Sequence, residues 1–290
     1  DLDAVILCHG DPKTEIAVAS FNASKHTFIE KPMCYSIQEA DRIIESADKS
    51  GKIGQVGYMK LHDPAFELAQ QEVSTMNDIR FVQVNHLHTD NKVHVGQFRT
   101  KRFSDIPDAV KERSTRAANY AIKEAIGTPS DQVRDSFKTV SGSMIHDIYG
   151  LRVMLGNPTK VVSTEIWDGA ISTVFQYQQG HRCVATWVDL PDAWDFEETL
   201  EVYSDDRGVK LSYPTGFSRG IPSTLEIRGV DDYGHSFRQQ PFVDWEIPFV
   251  RELRHFHKCI TQGAECRTSL ANARYDVALV IDIVKKYLDR

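Results

Sequence analysis

The sequence lacks the marks of several protein classes. It has no basic surplus: its 290 residues carry a formal net charge of −7. That balance argues against a surface built for nucleic acid or anionic lipid. No apolar run reaches the ~20 residues that a membrane-spanning helix needs. No secretory leader pattern is read at the amino end, so a cytoplasmic setting is expected. The five cysteines are Cys8, Cys34, Cys183, Cys259 and Cys266, an odd number with no C-x-x-C pair. Reduced thiols are expected rather than a disulfide framework. Metal-ligand spacing is also missing. His86 and His88 share one face of a strand without a third ligand, and His255 and His257 diverge on a helix. No metal site is expected. Neither an internal repeat nor a low-complexity segment is present.

The composition that is present is that of a globular chain, with 41% hydrophobic and 26% charged residues. The length suffices for two domains with sizeable cores. The most informative stretch surrounds Glu30-Lys31-Pro32. Asp3 to Cys8 is a short apolar run, and Thr14 to Ala23 has helical spacing. His26 to Glu30 is a second short run, followed by a helix over Ser36 to Ser50 and a third strand over Ile53 to Tyr58. This order predicts a βαβαβ half of a parallel α/β sheet. Ligands of such sheets bind beyond the carboxyl ends of the strands. His9, Gly10, Asp11 and Lys31 all fall at such ends.

Beyond Tyr58 the pattern changes. Pro64 to Val73 reads as a short helix and Ile79 to His86 as a strand. Residues 101–138 are charged, with a helix-forming stretch over Ala109 to Ile126; they read as an insertion or lid on the substrate side. Ser141 to Leu155 follows the helical period and stops at Gly156-Asn157-Pro158. Six β-branched or aromatic runs then occur between Val161 and Gly229, separated by turns. Strands at this density without intervening helices predict a mostly antiparallel sheet. Two helices, Pro248 to Thr261 and Ser269 to Leu288, complete the chain. The expected fold class is α/β plus α+β: the C-terminal half of a Rossmann-like parallel sheet, then a domain with a large, open, mostly antiparallel sheet. The expected domains are 1–59 and 60–290.

The motifs resemble those of the glucose–fructose oxidoreductase / inositol dehydrogenase family. The family frame D-x-V-x-I-A-T-P-P, helix, G-K-H-V-L-V-E-K-P, helix, strand is matched without a gap. Here it reads Asp3 to Asp11, Ser24 to Pro32 and Val56-Gly57-Tyr58-Met59. The resemblance implies a nicotinamide-dependent oxidoreductase, with NAD or NADP as cofactor and a sugar or polyol as substrate. It also implies a G-x-G-x-x-G turn and an acidic ribose contact ahead of Asp3. Neither occurs within these 290 residues, and Gly51, Gly54 and Gly57 lead into a strand instead of opening a helix. The chain therefore reads as a fragment, a truncated gene product or a natural form without the pyrophosphate-binding half. On its own it is expected to bind dinucleotide weakly.

Family members place a catalytic Asp and, one turn on, a His on the helix that corresponds to 141–156, which is expected to line the active site. Aligned from its carboxyl end, His146 meets the family's His and Gly142 the Asp. Aligned from its amino end, His146 meets the Asp and Gly150 the His. His146 is common to both. Oxidising a secondary alcohol needs an acceptor for the hydride and a base for the proton; imidazole suits the second task. An ammonium beside the same oxygen stabilises alkoxide charge. The resemblance thus implies Lys31 and His146 as the catalytic pair. His9, Gly10, Asp11, Lys13, Glu30 and Lys31 would line the cofactor. Lys31, Tyr58 and His146 would face the substrate. Asp147, about 100° further round the helix, would be structural.

Departures from the family mark a distinct substrate branch or lost activity: Cys8-His9-Gly10-Asp11 replaces A-T-P-P, Lys13 stands where the family has a His, and Lys60-Leu61-His62 replaces R-R-F or N-R-F. The missing glycine turn and the incomplete Asp/His pair favour an inactive relative. The competing reading is an inactive relative that binds a sugar or assembles through its sheet. In either reading a homodimer or homotetramer is expected through the open sheet. Ile166, Val174, Phe175, Tyr177, Trp187 and Tyr203 are the expected apolar contact surface. No nucleic-acid or membrane partner is expected.

Overall fold

The computed structural model describes residues 2–101, 103–193, 195–217 and 220–289. In chain order, β1 (Ala4–Leu7), α1 (Thr14–Asn22), β2 (His26–Glu30), α2 (Ile37–Ser50) and β3 (Gly54–Gly57) come first. After a 3-10 turn at Met59–His62 follow α3 (Pro64–Ser74), β4 (Phe81–Thr89), α4 (Lys92–Val95), α5 (Asp108–Ile126) and α6 (Asp131–Thr139). A π-helical turn, Val140–Met144, runs into α7 (Ile145–Leu155). The strands β5 (Lys160–Trp167), β6 (Ala170–Gln176), β7 (Arg182–Leu190), β8 (Glu197–Tyr203), β9 (Arg207–Tyr213), β10 (Thr224–Val230) and β11 (Ser236–Gln239) come next. Helices α8 (Pro248–Gln262) and α9 (Leu270–Leu288) finish the chain. Among the described residues, no helix is long and apolar enough to cross a membrane.

The chain forms two compact units. The first comprises Asp1–Tyr58, Lys101–Tyr149 and Glu252–Lys285. The second comprises Met59–Thr100, Gly150–Arg251 and Lys286–Arg290. The stretch 101–149, expected on the substrate side, groups with the parallel sheet. Its apolar residues explain this: Ala121, Ile122, Ala125, Ile126, Val133 and Phe137 are buried.

In the first unit β1, β2 and β3 form a parallel sheet in that order, with Leu7 opposite Ile29 and Glu30 opposite Gly57. The intervening helices have local causes. Ser36 caps α2 by accepting from the Glu39 amide, and Glu39 answers at the Ser36 amide, a full capping box. Gly51, at φ 64°, takes the left-handed position that ends the helix. Ala40, Ile43 and Ala47 form the buried stripe of α2. Phe28 of β2 meets Phe256 of α8 edge-on, with ring centroids 5.7 Å apart. Burying a residue such as Phe28, Phe21 or Ile43 stabilises the unit by ~1.5–3 kcal/mol each.

The second unit is built on an eight-stranded sheet in the order β11-β10-β9-β8-β4-β7-β6-β5. Every pair is antiparallel except β4–β7. One face of β6 and β7 is buried through Ile171, Thr173, Phe175, Cys183, Ala185 and Trp187. The other carries Ser172, Val174, Gln176, Val184, Thr186 and Val188, all half-exposed. The expected contact surface is corrected accordingly. Phe175, Tyr177, Trp187 and Ile166 are buried within the subunit, whereas Val174 and Tyr203 are half-exposed. Val174 and Phe175 are sequence neighbours, and a strand sends neighbours to opposite faces.

Candidate active site

The candidate site lies in the first unit, at the carboxyl ends of its parallel strands. Beyond β1, His9 and Gly10 are exposed and Asp11 is half-buried. A Cβ built on Gly10 would meet nothing within 4 Å, so this strand end opens onto space. Gly57, at the end of β3, is the opposite case: a Cβ there would lie 2.9 Å from Glu30 Oε1 and 3.1 Å from the Phe28 ring. Only glycine lets β3 pass this close to the Glu30 carboxylate.

Lys31 is half-buried and follows a strand end that Glu30 locks by accepting from the Lys31 amide at 3.0 Å. The Lys31–Pro32 peptide is cis. Lys31 Nζ donates to the carbonyl of Gly142 at 2.5 Å. That carbonyl lies in the π turn. A π turn shifts the backbone ladder by one residue, which makes a carbonyl there accessible to an outside donor. His146 stands four residues on, about one helical turn from Gly142. Its Nδ1 pairs with the Tyr149 hydroxyl at 2.6 Å. Tyr149 in turn stacks on Tyr58, with centroids 4.2 Å apart and planes 22° from parallel. Both tyrosines are buried, at 0% and 1% exposure, so the stack fixes the imidazole from below. Asp147 is 4% exposed, in a different direction round the helix from the half-exposed His146.

Lys31 thus meets the backbone of the helix that carries His146, and His146 reaches Tyr58 through Tyr149. Lys13 behaves differently. It is 1% exposed, forms an ion pair with Asp11 at 2.7 Å and donates to the Pro32 carbonyl at 3.2 Å. Its ammonium fastens the loop after β1 to the loop after β2. Asp11 also accepts from the Tyr35 hydroxyl, whose ionisation burial and Asp11 push upward. The Asp11 backbone carbonyl accepts from Ser114 of α5 at 3.4 Å.

Two acidic groups have shifted titrations. Burial raises Glu30, against the pull of the Lys31 and Lys13 ammonium groups. Glu252 of α8, 1% exposed, is pushed up to about 9 by burial and then by the Glu30 carboxylate. It carries its proton at neutral pH. Sequence reading missed Glu252, because nothing in its helical surroundings signals burial beside a second carboxylate.

Residues present fit the nicotinamide side of a dinucleotide: an open strand end at His9-Gly10, a half-exposed ammonium and a helix histidine. Helix α1 begins behind Pro12 and the sealed Lys13, with no side-chain cap and no glycine turn, so it does not fit a pyrophosphate.

A parallel strand–helix–strand sheet with polar groups at its carboxyl edge is a Rossmann-like α/β arrangement. Residues 1–58 match the family model described as the oxidoreductase family with NAD-binding Rossmann fold. Over this stretch the chain is similar to the glucose–fructose oxidoreductase / inositol dehydrogenase (Gfo/Idh/MocA) family. Inositol 2-dehydrogenase of Salmonella typhimurium is 34% identical over 68 residues, 23% of this chain and 20% of that enzyme. The match thus spans about a fifth of the length of this curated relative. Among solved structures, a UDP-N-acetylglucosamine 3-dehydrogenase from Acidithiobacillus ferrooxidans superposes with a TM-score of 0.70 at 14% identity, over 99% of this chain and 80% of the other. A 3-ketoreductase from Actinomadura kijaniata in complex with NADP gives 0.66 at 16% identity, over 96% and 75%. At such identities these structures share the fold.

Proposed function

We propose that the chain belongs to an NAD(P)-dependent oxidoreductase acting at a secondary alcohol of a sugar or polyol. The observation that carries this reading is the Lys31–Gly142 bond. It ties the strand-end ammonium to the helix that presents His146. The dinucleotide, when bound, supplies the hydride acceptor or donor. Lys31 stabilises negative charge on the reacting oxygen. His146 takes or returns the alcohol proton, in the tautomer that donates Nδ1–H to Tyr149 and leaves Nε2 basic. His9, Gly10, Asp11 and Glu30 border the nicotinamide and ribose, and Lys13 acts on the cofactor side by holding Asp11 in place. Tyr58 supports the substrate side through Tyr149. The alignment from the carboxyl end is favoured, since Lys31 bonds to the backbone of the residue that would replace the family's Asp.

The test pairs two neighbouring substitutions, assayed with inositols and aldoses and either dinucleotide. His146→Ala should lower turnover by ~10²-fold or more and remove a limb of the pH–rate profile. Asp147→Asn should lower stability more than turnover. The reverse pattern would make the carboxylate the acid/base. An inactive, sugar-binding relative is the second reading, favoured by the sealed Lys13. It predicts sugar binding with no hydride transfer to either dinucleotide.

The half-exposed face of the second unit's sheet is proposed as a homodimer or homotetramer interface. Ser172, Val174, Val184, Thr186 and Val188 give it the small, mixed character of a surface that another sheet can cover. Sedimentation should show an oligomer that Val174→Asp dissociates; a monomer at tens of micromolar contradicts the interface.

A further inference from the structure

We propose that His255, Cys259 and Cys266 form a binding site for a zinc-type divalent cation. The ligand atoms of the three residues all lie within 4.8 Å of one another. Cys259 Sγ is 3.4 Å from His255 Nε2. A tetrahedral site with Zn–S of ~2.3 Å and Zn–N of ~2.05 Å has an S···N edge of about 3.6 Å. The observed edge is close to that value; His255 Nε2 also accepts from the Arg267 amide at 3.1 Å, a bond the cation would replace.

The arrangement has a local cause. His255 and Cys259 are separated by one turn of α8 and share a face. After the helix, Gly263 takes a left-handed φ of 67° and turns the chain back. The returning segment is pinned to β3: the Val56 amide donates to the Thr268 carbonyl at 2.9 Å, and Thr268 Oγ1 donates to the Val56 carbonyl at 2.7 Å. Cys266 is thereby placed against the same helix face. Gln55 Oε1 and the Gly54 carbonyl each lie 3.8 Å from Cys266 Sγ. Gln55 is itself held, since its Nε2 donates to the Glu252 carbonyl at 3.1 Å. The cluster therefore joins β3 to both ends of the α8–α9 connection.

The donor chemistry selects the cation. Two thiolates and one imidazole suit zinc-type or softer metals rather than magnesium or calcium. Two thiolates also cancel a double positive charge. The bound site would be neutral, with the Lys258 and Arg267 cations close to His255. Cys259 is buried, while Cys266 and His255 are half-buried, so the site has an entry path and a fourth position for water. Binding releases the thiol protons, so affinity rises with pH.

The test is a cobalt titration of reduced, metal-free protein, followed by displacement with zinc. One equivalent should bind, with a thiolate-to-cobalt charge-transfer band and the strong visible bands of a tetrahedral site. Cys266→Ser and His255→Gln should each weaken binding by at least about tenfold, the lower end of what even an outer-partner loss costs a metal site. Cys8→Ser should leave the titration unchanged. Zinc should also raise the melting temperature of the parent and not of Cys266→Ser. The proposal fails if no stoichiometric uptake occurs, if the spectrum is the weak one of an octahedral ion, or if Cys266→Ser binds like the parent. It also fails if Cys259 and Cys266 are isolated as a disulfide and the reduced protein takes up no cobalt.

Discussion

Lys31 in the first unit and Lys60 in the second are both lysines that follow a strand of the parallel sheet, and they are used in opposite ways. Lys60 is 5% exposed, paired with the Glu198 carboxylate, and set over the Tyr213 ring at 4.5 Å. Its charge is cancelled within the second unit. Lys31 is half-exposed, donates to the Gly142 carbonyl, and also acts on the neighbouring Glu30 carboxylate. On the proposed reading, Lys31 still presents positive charge to the reacting oxygen. A lysine bound to a carboxylate in the dark of a core has none left to offer. On the proposed reading, the difference separates a charge placed for chemistry from one placed for architecture.

Lys60→Met tests the architectural side and should have a large effect on stability at neutral pH. It strands Glu198, 1% exposed, without its ammonium. Breaking a buried pair from one side costs ~3–5 kcal/mol. Urea denaturation should show a loss of that size, and replacing Glu198 by Leu in the same chain should restore most of it. A loss below ~1 kcal/mol would mean that the pair is solvated and that the contrast with Lys31 is one of degree.

Glu252→Gln tests a pH-dependent electrostatic effect within the first unit. The Glu252 carboxyl titrates near 9 when folded and near its ordinary 4.5 when unfolded. Its contribution to stability is full below the unfolded value and is lost as pH rises through that window. The slope is at most about 1.4 kcal/mol per pH unit. Glutamine should flatten the decline between those limits and leave stability at low pH nearly unchanged. An unaltered pH profile would place Glu252 in contact with water.

Much of the fold could be read from residue order. The strands of both sheets are short, apolar or alternating, and bounded by turn residues, and Ser36 with Glu39 announces α2. Lys31 and His146 are candidates that the family frame singles out. What was hidden depends on tertiary packing. A π turn is a one-residue insertion that helical periodicity over Ser141 to Leu155 absorbs without trace. The grouping of 101–149 with the parallel sheet depends on which face of α5 and α6 finds a partner. Lys13 reads as a cofactor contact until Asp11 and Pro32 are seen around it. His255 and Cys259 show a one-turn spacing in the sequence, but Cys266 joins them only through the Gly263 turn and the pairing with β3.

Lys31→Met provides the most direct measurement. Methionine keeps the length and apolar stem and removes the ammonium. Turnover and melting temperature should be measured on the same preparation, with the polyol and dinucleotide that give the highest activity. Turnover should fall by ~10²-fold or more, with the melting temperature and the substrate affinity little changed, because the contact matters most in the transition state. Turnover close to that of the parent, or a loss of activity that only follows a loss of folded protein, would contradict a catalytic role for Lys31.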